Sequence, residues 1–156
     1  MKNILKLSLS VMAIAALAAC GGGGSDEPAD KYVGNWKSSC YESVSTSGTT
    51  FFYVNTYSVT KTSAGEVLFT GTYAAHSDGK CANSAGSGGL NGAKINIGAE
   101  TTFLGAKSDS IVRTNLVTGE ALPGYATSDG NKMYLRTYTP GTSPTNWGSA
   151  SPFSKI

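Results

Sequence analysis

The chain has 156 residues, of which 14% are charged, with 12 Lys and Arg against 10 Asp and Glu and a formal net charge of +2. That balance excludes the basic patch by which a protein holds nucleic acid, and the length suffices for one domain with one core. The single histidine and three cysteines include no C-x-x-C pair and no histidine cluster, so they do not supply the three or four ligands a metal site needs.

Lys2 and Lys6 form a short positive region, and Leu7 to Ala19 is apolar apart from Ser8 and Ser10. About a dozen apolar residues are too few for a permanent membrane span, which takes about 20. They suit the core of a secretory signal peptide. An amphipathic helix would need a polar face, which this segment lacks, and Gly21 to Gly24 follow it directly. Leu17-Ala18-Ala19-Cys20 resembles the lipobox of bacterial lipoproteins. The resemblance implies that residues 1–19 are cut away, that the Cys20 thiol carries a diacylglyceryl group, and that the new amino group is acylated. A thiol is a strong nucleophile for such a lipid donor, and two or three acyl chains meet the requirement for stable attachment. The expected partner is therefore a membrane, reached through the lipid on Cys20, in the bacterial cell envelope. Gly21 stands where that family favours Asp for inner-membrane retention, which leans the location toward the outer membrane. Cleavage removes Lys2 and Lys6 and no acid, so the remaining charges balance.

Gly21 to Asp30 holds four glycines, a proline and three acids. Such a stretch buries too little surface to offset its ordering entropy. Residues 20–30 thus read as the lipidated cysteine and a flexible tether, with a reach of roughly 17 Å for ten residues. Residues 31–156 read as a single β domain. No stretch after Tyr32 carries an apolar repeat of helical period, and Gly and β-branched residues interrupt every candidate helix.

The expected strands, in chain order, are 32–39, 50–61, 66–75, 94–99, 101–107, 108–117 and 132–138. In the second, Phe51, Tyr53, Tyr57 and Val59 share one face; in the third, Val67, Phe69 and Tyr73 do. Thr62-Ser63-Ala64-Gly65 between them reads as a hairpin turn, and Ser128-Asp129-Gly130-Asn131 as another turn. Ser77 to Gly92, rich in Gly, Ser and Asn, reads as a long loop. The segment from Pro140 to Ile156 is too rich in proline for an interior strand and too apolar to dangle. It is expected to wrap the domain and bury Trp147 or Phe153. Seven or eight short strands point to an all-β fold, a small antiparallel up-and-down barrel, with a β-sandwich as the alternative.

With Cys20 taken by lipid, Cys40 and Cys81 remain as an even pair in an exported chain, where disulfides persist. A disulfide is the expected pairing; two free thiols or a metal pair are the alternatives. Gly34-Asn35-Trp36 in the first strand and Arg136 in the last resemble the lipocalin and wider calycin pattern. That resemblance implies an eight-stranded barrel closed at one end by the Trp36 ring, with the Arg136 guanidinium packed on the indole in a cation–π contact. The role implied for Gly34, Trp36 and Arg136 is structural. The run from Tyr32 to Ser43 and Asp129 to Arg136 also resemble a group of small bacterial lipoproteins of unassigned function, which implies an envelope location and no reaction.

Catalytic constellations are lacking, and none is assigned. His76 stands beside Ser77 and Asp78, but neighbours in a turn do not meet triad geometry. Glu42, Glu66, Glu100 and Glu120 lie near strand ends, and nothing pairs two of them across a cleft. Neither Gly21–Gly24 nor Gly86–Gly89 has the context of a phosphate loop, and no cofactor is expected. Tyr41, Phe51, Phe52, Tyr53, Tyr57, Phe69 and Tyr73 cluster in the first half. They read first as a β core with cross-strand tyrosines. The alternatives are a cavity for a small apolar ligand or a platform for a glycan. The expected function is non-catalytic: a binding or interaction domain for such a ligand or for an envelope protein, or a structural protein with a filled barrel.

Overall fold

The computed structural model describes residues 27–156. The signal segment, Cys20 and most of the tether lie outside them. The described chain opens with a 3-10 turn, Asp30–Tyr32, and continues through nine strands: β1 Gly34–Ser38, β2 Tyr41–Val44, β3 Thr50–Ser63, β4 Glu66–His76, β5 Ser84–Phe103, β6 Ala106–Asn115, β7 Ala121–Ser128, β8 Lys132–Thr137 and β9 Phe153–Lys155. All pairings are antiparallel. The sheet order β1-β9-β8-β7-β6-β5-β4-β3 closes through pairing of β1 with β3, giving an eight-stranded barrel; β2 is the extra strand, along the far end of β3. A single sheet closed on itself is a barrel and not a sandwich.

Alternation explains the interior. Val59, Val67, Phe69, Ile95, Ile111 and Met133 occupy one phase of their strands and are buried with Trp36 and Phe153; successive side chains on a strand point to opposite faces. The barrel is filled at this level. Tyr32, Val67, Phe69, Ile95, Ala126 and Met133 leave no room between them for a water molecule.

Several strands depart from the expectation. Ser77–Gly92 is not all loop, because β5 begins at Ser84 and runs along β4. Its glycines carry no apolar pattern, so its strand character comes from the partner. The Tyr73 ring lies over Gly88, where a Cβ would stand 2.7 Å from the phenol oxygen. The expected strands 94–99 and 101–107 are largely one strand with a bulge between Ile97 and Glu100. The strand β7 has no counterpart in the expectation: Pro123 and Gly124 hide it, yet Pro123 pairs opposite Val112 in the ladder. The tail wraps the barrel as expected. Phe153 is buried, and the short strand β9 supplies the closing staves between β1 and β8. Trp147 packs edge-on against Phe103 at 4.8 Å. The domain also starts earlier than residue 31. Ala29 is fully buried and donates its N–H to the Ala64 carbonyl at 3.1 Å, while Lys61 pairs with Glu27 and, at 2.6 Å, with Asp30.

Beyond the barrel rim, β2 and the adjoining ends of β3, β4 and β5 continue as a four-stranded extension, since β6 stops pairing with β5 at Ala93. The expected disulfide is formed: Cys40 and Cys81, with Cα atoms 5.8 Å apart, tie the break between β1 and β2 to the β4–β5 loop.

Candidate functional site: the open end of the barrel

One end of the barrel is plugged. The Tyr32 hydroxyl donates to Asp109 Oδ2 at 2.7 Å, Lys31 reaches the same oxygen at 2.8 Å, and Trp36 Nε1 donates to the Tyr32 carbonyl at 2.7 Å. Burial and then the Asp109 carboxylate push the Tyr32 phenol far above its ordinary value, so it stays a hydrogen-bond donor. Trp36 has no exposed surface and closes this end, as the lipocalin likeness implies. The cation over its ring differs from the expectation. It is Lys155, with Nζ 5.5 Å from the ring centroid. Trp36 lies level with Lys155 across β1 and β9, whereas Arg136 lies on β8, three residues beyond the last pair with β9 at Met133, and pairs with Tyr125. The expected Trp36–Arg136 closure is therefore corrected to Trp36–Lys155. Gly34 retains a role in it. Its φ is +138°, and a Cβ there would stand 2.8 Å from Lys155 Cε, in the path by which the lysine crosses the indole.

The opposite end is open. Tyr41 from β2, Tyr57 from β3, Arg113 from β6, Leu135 and Arg136 from β8 and Phe153 from β9 line a mouth of about 250 Å³, with Gly148–Ala150 on its rim. Asn55, 6% exposed, donates from Nδ2 to the Tyr41 hydroxyl at 2.9 Å, and its backbone N–H bonds Ser38 Oγ at 2.9 Å. Burial raises the Tyr57 phenol, as does the neighbouring Tyr41; the Arg113 charge and the Asn55 amide oppose this. Burial likewise raises Tyr41. Asn55 and Arg113 were missed in the sequence, although a signal existed. Each occupies the inward phase of its strand, Asn55 between Tyr53 and Tyr57, and Arg113 two residues after Ile111.

The remaining aromatic residues divide. Tyr57 and Phe69 pack edge-on at 5.6 Å in the core. Tyr41, Phe51, Tyr53 and Tyr73 form a cross-strand stripe on the extension, with ring centroids 5.8–6.4 Å apart. Phe52 faces the other way, beside Gly79.

His76 and Asp78 do not build a triad. The Asp78 carboxylate accepts the backbone N–H groups of Lys80 at 2.9 Å and Asn83 at 2.7 Å. These bonds shape the loop and hold the carboxyl below its usual range. Glu66 bonds Thr62 and Lys94 and Glu100 bonds Lys107; Glu100 is level with Asp109 across β5 and β6, and the two line a hollow with Glu27, Asp30 and Lys31, where Asp109 is already held by Tyr32 and Lys31. Among the described residues no group of three or more His, Cys, Asp and Glu side chains is placed to hold a metal ion, and no helix is long and apolar enough to cross a membrane.

What fold and site define is a closed eight-stranded antiparallel barrel, plugged at one end and carrying a shallow mouth at the other. No protein-family model matches the chain, and neither the curated proteins nor the solved structures contain a match to it.

Proposed function

We propose that the chain is a lipid-anchored lipoprotein of the bacterial cell envelope, held at the outer membrane through Cys20, whose barrel is a non-catalytic binding or interaction domain. Support for the anchor comes from the sequence Leu17-Ala18-Ala19-Cys20 after a signal-like apolar run. Support for the domain's role comes from one observation above all: the interior is filled by its own side chains, which leaves the mouth and outer surface as the working parts. A carrier that encloses an apolar ligand deep in the barrel would need a hollow interior. The described chain enters at the plugged end, where Glu27, Ala29 and Asp30 contact the β3–β4 turn region. The mouth therefore lies at the end of the barrel opposite that entry. Replacing Cys20 by Ser tests the anchor: the variant should leave the membrane fraction with its disulfide and β-sheet spectrum intact. A variant that still sediments with membranes would contradict it.

A further inference from the structure

We infer that the outer wall of the barrel carries a saccharide site, a hollow across β5–β8 that takes a neutral sugar ring. The inference rests on the reading of the barrel as a binding domain and gives that domain a ligand class. The solvent face of an antiparallel sheet is ordinarily polar, yet this wall is aromatic. Phe103 stacks on Tyr125 at 4.4 Å, Trp147 packs edge-on against Phe103 at 4.8 Å, and Tyr134 lies 5.6 Å from Trp147. This packing holds the Tyr125 ring in place. Tyr138 stands 5.7 Å from Tyr125, with the two planes 24° apart.

Strand register brings the lining together. Ile95, Ile111 and Ala126 point into the core, so Asn96, Ser110, Val112 and Tyr125 point outward. Asn96 is level with Val112 and Val112 with Pro123, and the Tyr138 N–H bonds the Pro123 carbonyl at 3.0 Å. Ser110 is level with Tyr125 in the neighbouring row. Gly98 keeps the floor open, since a Cβ there would stand 2.6 Å from Ser110 Oγ. The hollow measures about 440 Å³, within the usual range for small-ligand sites, roughly 300–1,000 Å³.

Its chemistry selects the ligand. The side chains lining it carry no charge; Arg136 shares the wall, level with Tyr125, but does not line the hollow. Asn96 offers a donor and an acceptor, and Thr101 and Ser110 offer hydroxyls. Ser110 Oγ donates to the Ala99 carbonyl at 3.0 Å, so its oxygen remains to accept. Tyr125 and Tyr138 supply flat apolar rings, each ending in a hydroxyl. A pyranose has the matching anatomy, with C–H groups on its faces and a rim of hydroxyls that both donate and accept. A purely apolar ligand would strand the amide and hydroxyls without partners, and an ion would leave water for a site with no counter-charge.

The test is a titration of the full-length chain in a non-ionic detergent without sugar head groups. Maltose and cellobiose are the neutral probes, glucuronate the acidic one and sorbitol the open-chain polyol control. Binding is followed by the amide chemical shifts of Gly98, Ser110, Val112 and Tyr125. At least one disaccharide should shift these amides, with sorbitol at least about tenfold weaker because it has no ring face to lay on the tyrosines and loses more freedom on binding. Tyr138→Ala should weaken the preferred disaccharide about tenfold, and Asn96→Ala about three- to tenfold, the loss of one neutral hydrogen bond. Tyr138→Phe, which keeps the ring, should retain most of the affinity and guards against a loss caused by misfolding. The proposal is overturned if neither disaccharide shifts these amides at millimolar concentration, or if sorbitol binds as well as they do. It is equally overturned if glucuronate binds about tenfold more tightly than either, the mark of a charge-assisted contact, or if Tyr138→Ala and Asn96→Ala both bind normally. Each of these results would leave the membrane fractionation of the Cys20→Ser chain, and the anchor it reads, untouched.

Discussion

Trp36→Ala removes the ring that closes the plugged end, and the structure sets the size of the effect. The indole is wholly buried, and truncating a buried aromatic to alanine costs about 3–5 kcal/mol through lost transfer energy and the cavity left behind. The cost should fall in the upper half of that range, because the Tyr32 carbonyl also loses the 2.7 Å bond from Nε1, and an orphaned buried acceptor costs about 1–3 kcal/mol. Trp36→Phe keeps most of the volume and should cost about half as much, roughly 2 kcal/mol. Urea unfolding followed by far-ultraviolet circular dichroism measures both with the disulfide intact; Trp147 complicates a fluorescence readout. A double-mutant cycle with Lys155→Met should give a coupling of about 0.5–1 kcal/mol. The same cycle with Arg136→Met should give none. A Trp36→Ala cost below about 1 kcal/mol, or coupling to Arg136 in place of Lys155, would refute the account of the plug.

Replacing Cys40 and Cys81 by serine should lower stability by at most about 4 kcal/mol, because the bridge spans 41 residues; the shift in urea midpoint measures it, and thiol labelling of the unreduced parent should find neither cysteine free. Stability should fall as pH rises above about 10. The sign follows from Tyr32 and Tyr57, whose phenols are raised in the folded chain by burial: unfolded tyrosines release protons near pH 10 while these retain theirs, so the unfolded state gains. Tyr32, whose phenol is raised far above its ordinary value, contributes a loss of about 1.4 kcal/mol one pH unit above its unfolded value, and Tyr57 adds to it in the same direction; urea midpoints that stay level between pH 9 and 11, a range that brackets the free tyrosine value of about 10, would contradict the burial of both.

The barrel was legible where side chains alternate. Tyr57 and Val59 on β3, Val67 and Phe69 on β4, and Ile95 and Ile97 on β5 announce strands and their inward phase from the residues alone. Strands built from backbone pairing were not. Ser84–Gly92 has no apolar pattern of its own, and only the long partner β4, with Tyr73 over Gly88, makes it a strand. Pro123 masks β7 for a similar reason, since its register comes from neighbours. Gly34 and Trp36 were legible as a closure pair, but the cation was not. Which basic residue crosses the indole depends on β9, a strand of three residues that no periodicity reveals. In the mouth, the polar residue on an apolar phase was the available signal, at Asn55 and at Arg113. Their convergence depends on barrel closure, which brings β3 and β6 to opposite walls of one opening.

Intact mass spectrometry of the protein purified from native membranes decides whether this barrel is displayed on a lipid anchor. The expected species is a chain that begins at Cys20, lacks residues 1–19, carries two or three acyl chains at that cysteine, and holds Cys40 and Cys81 oxidised. A chain that retains residues 1–19, or one that begins elsewhere with an unmodified Cys20, would contradict it.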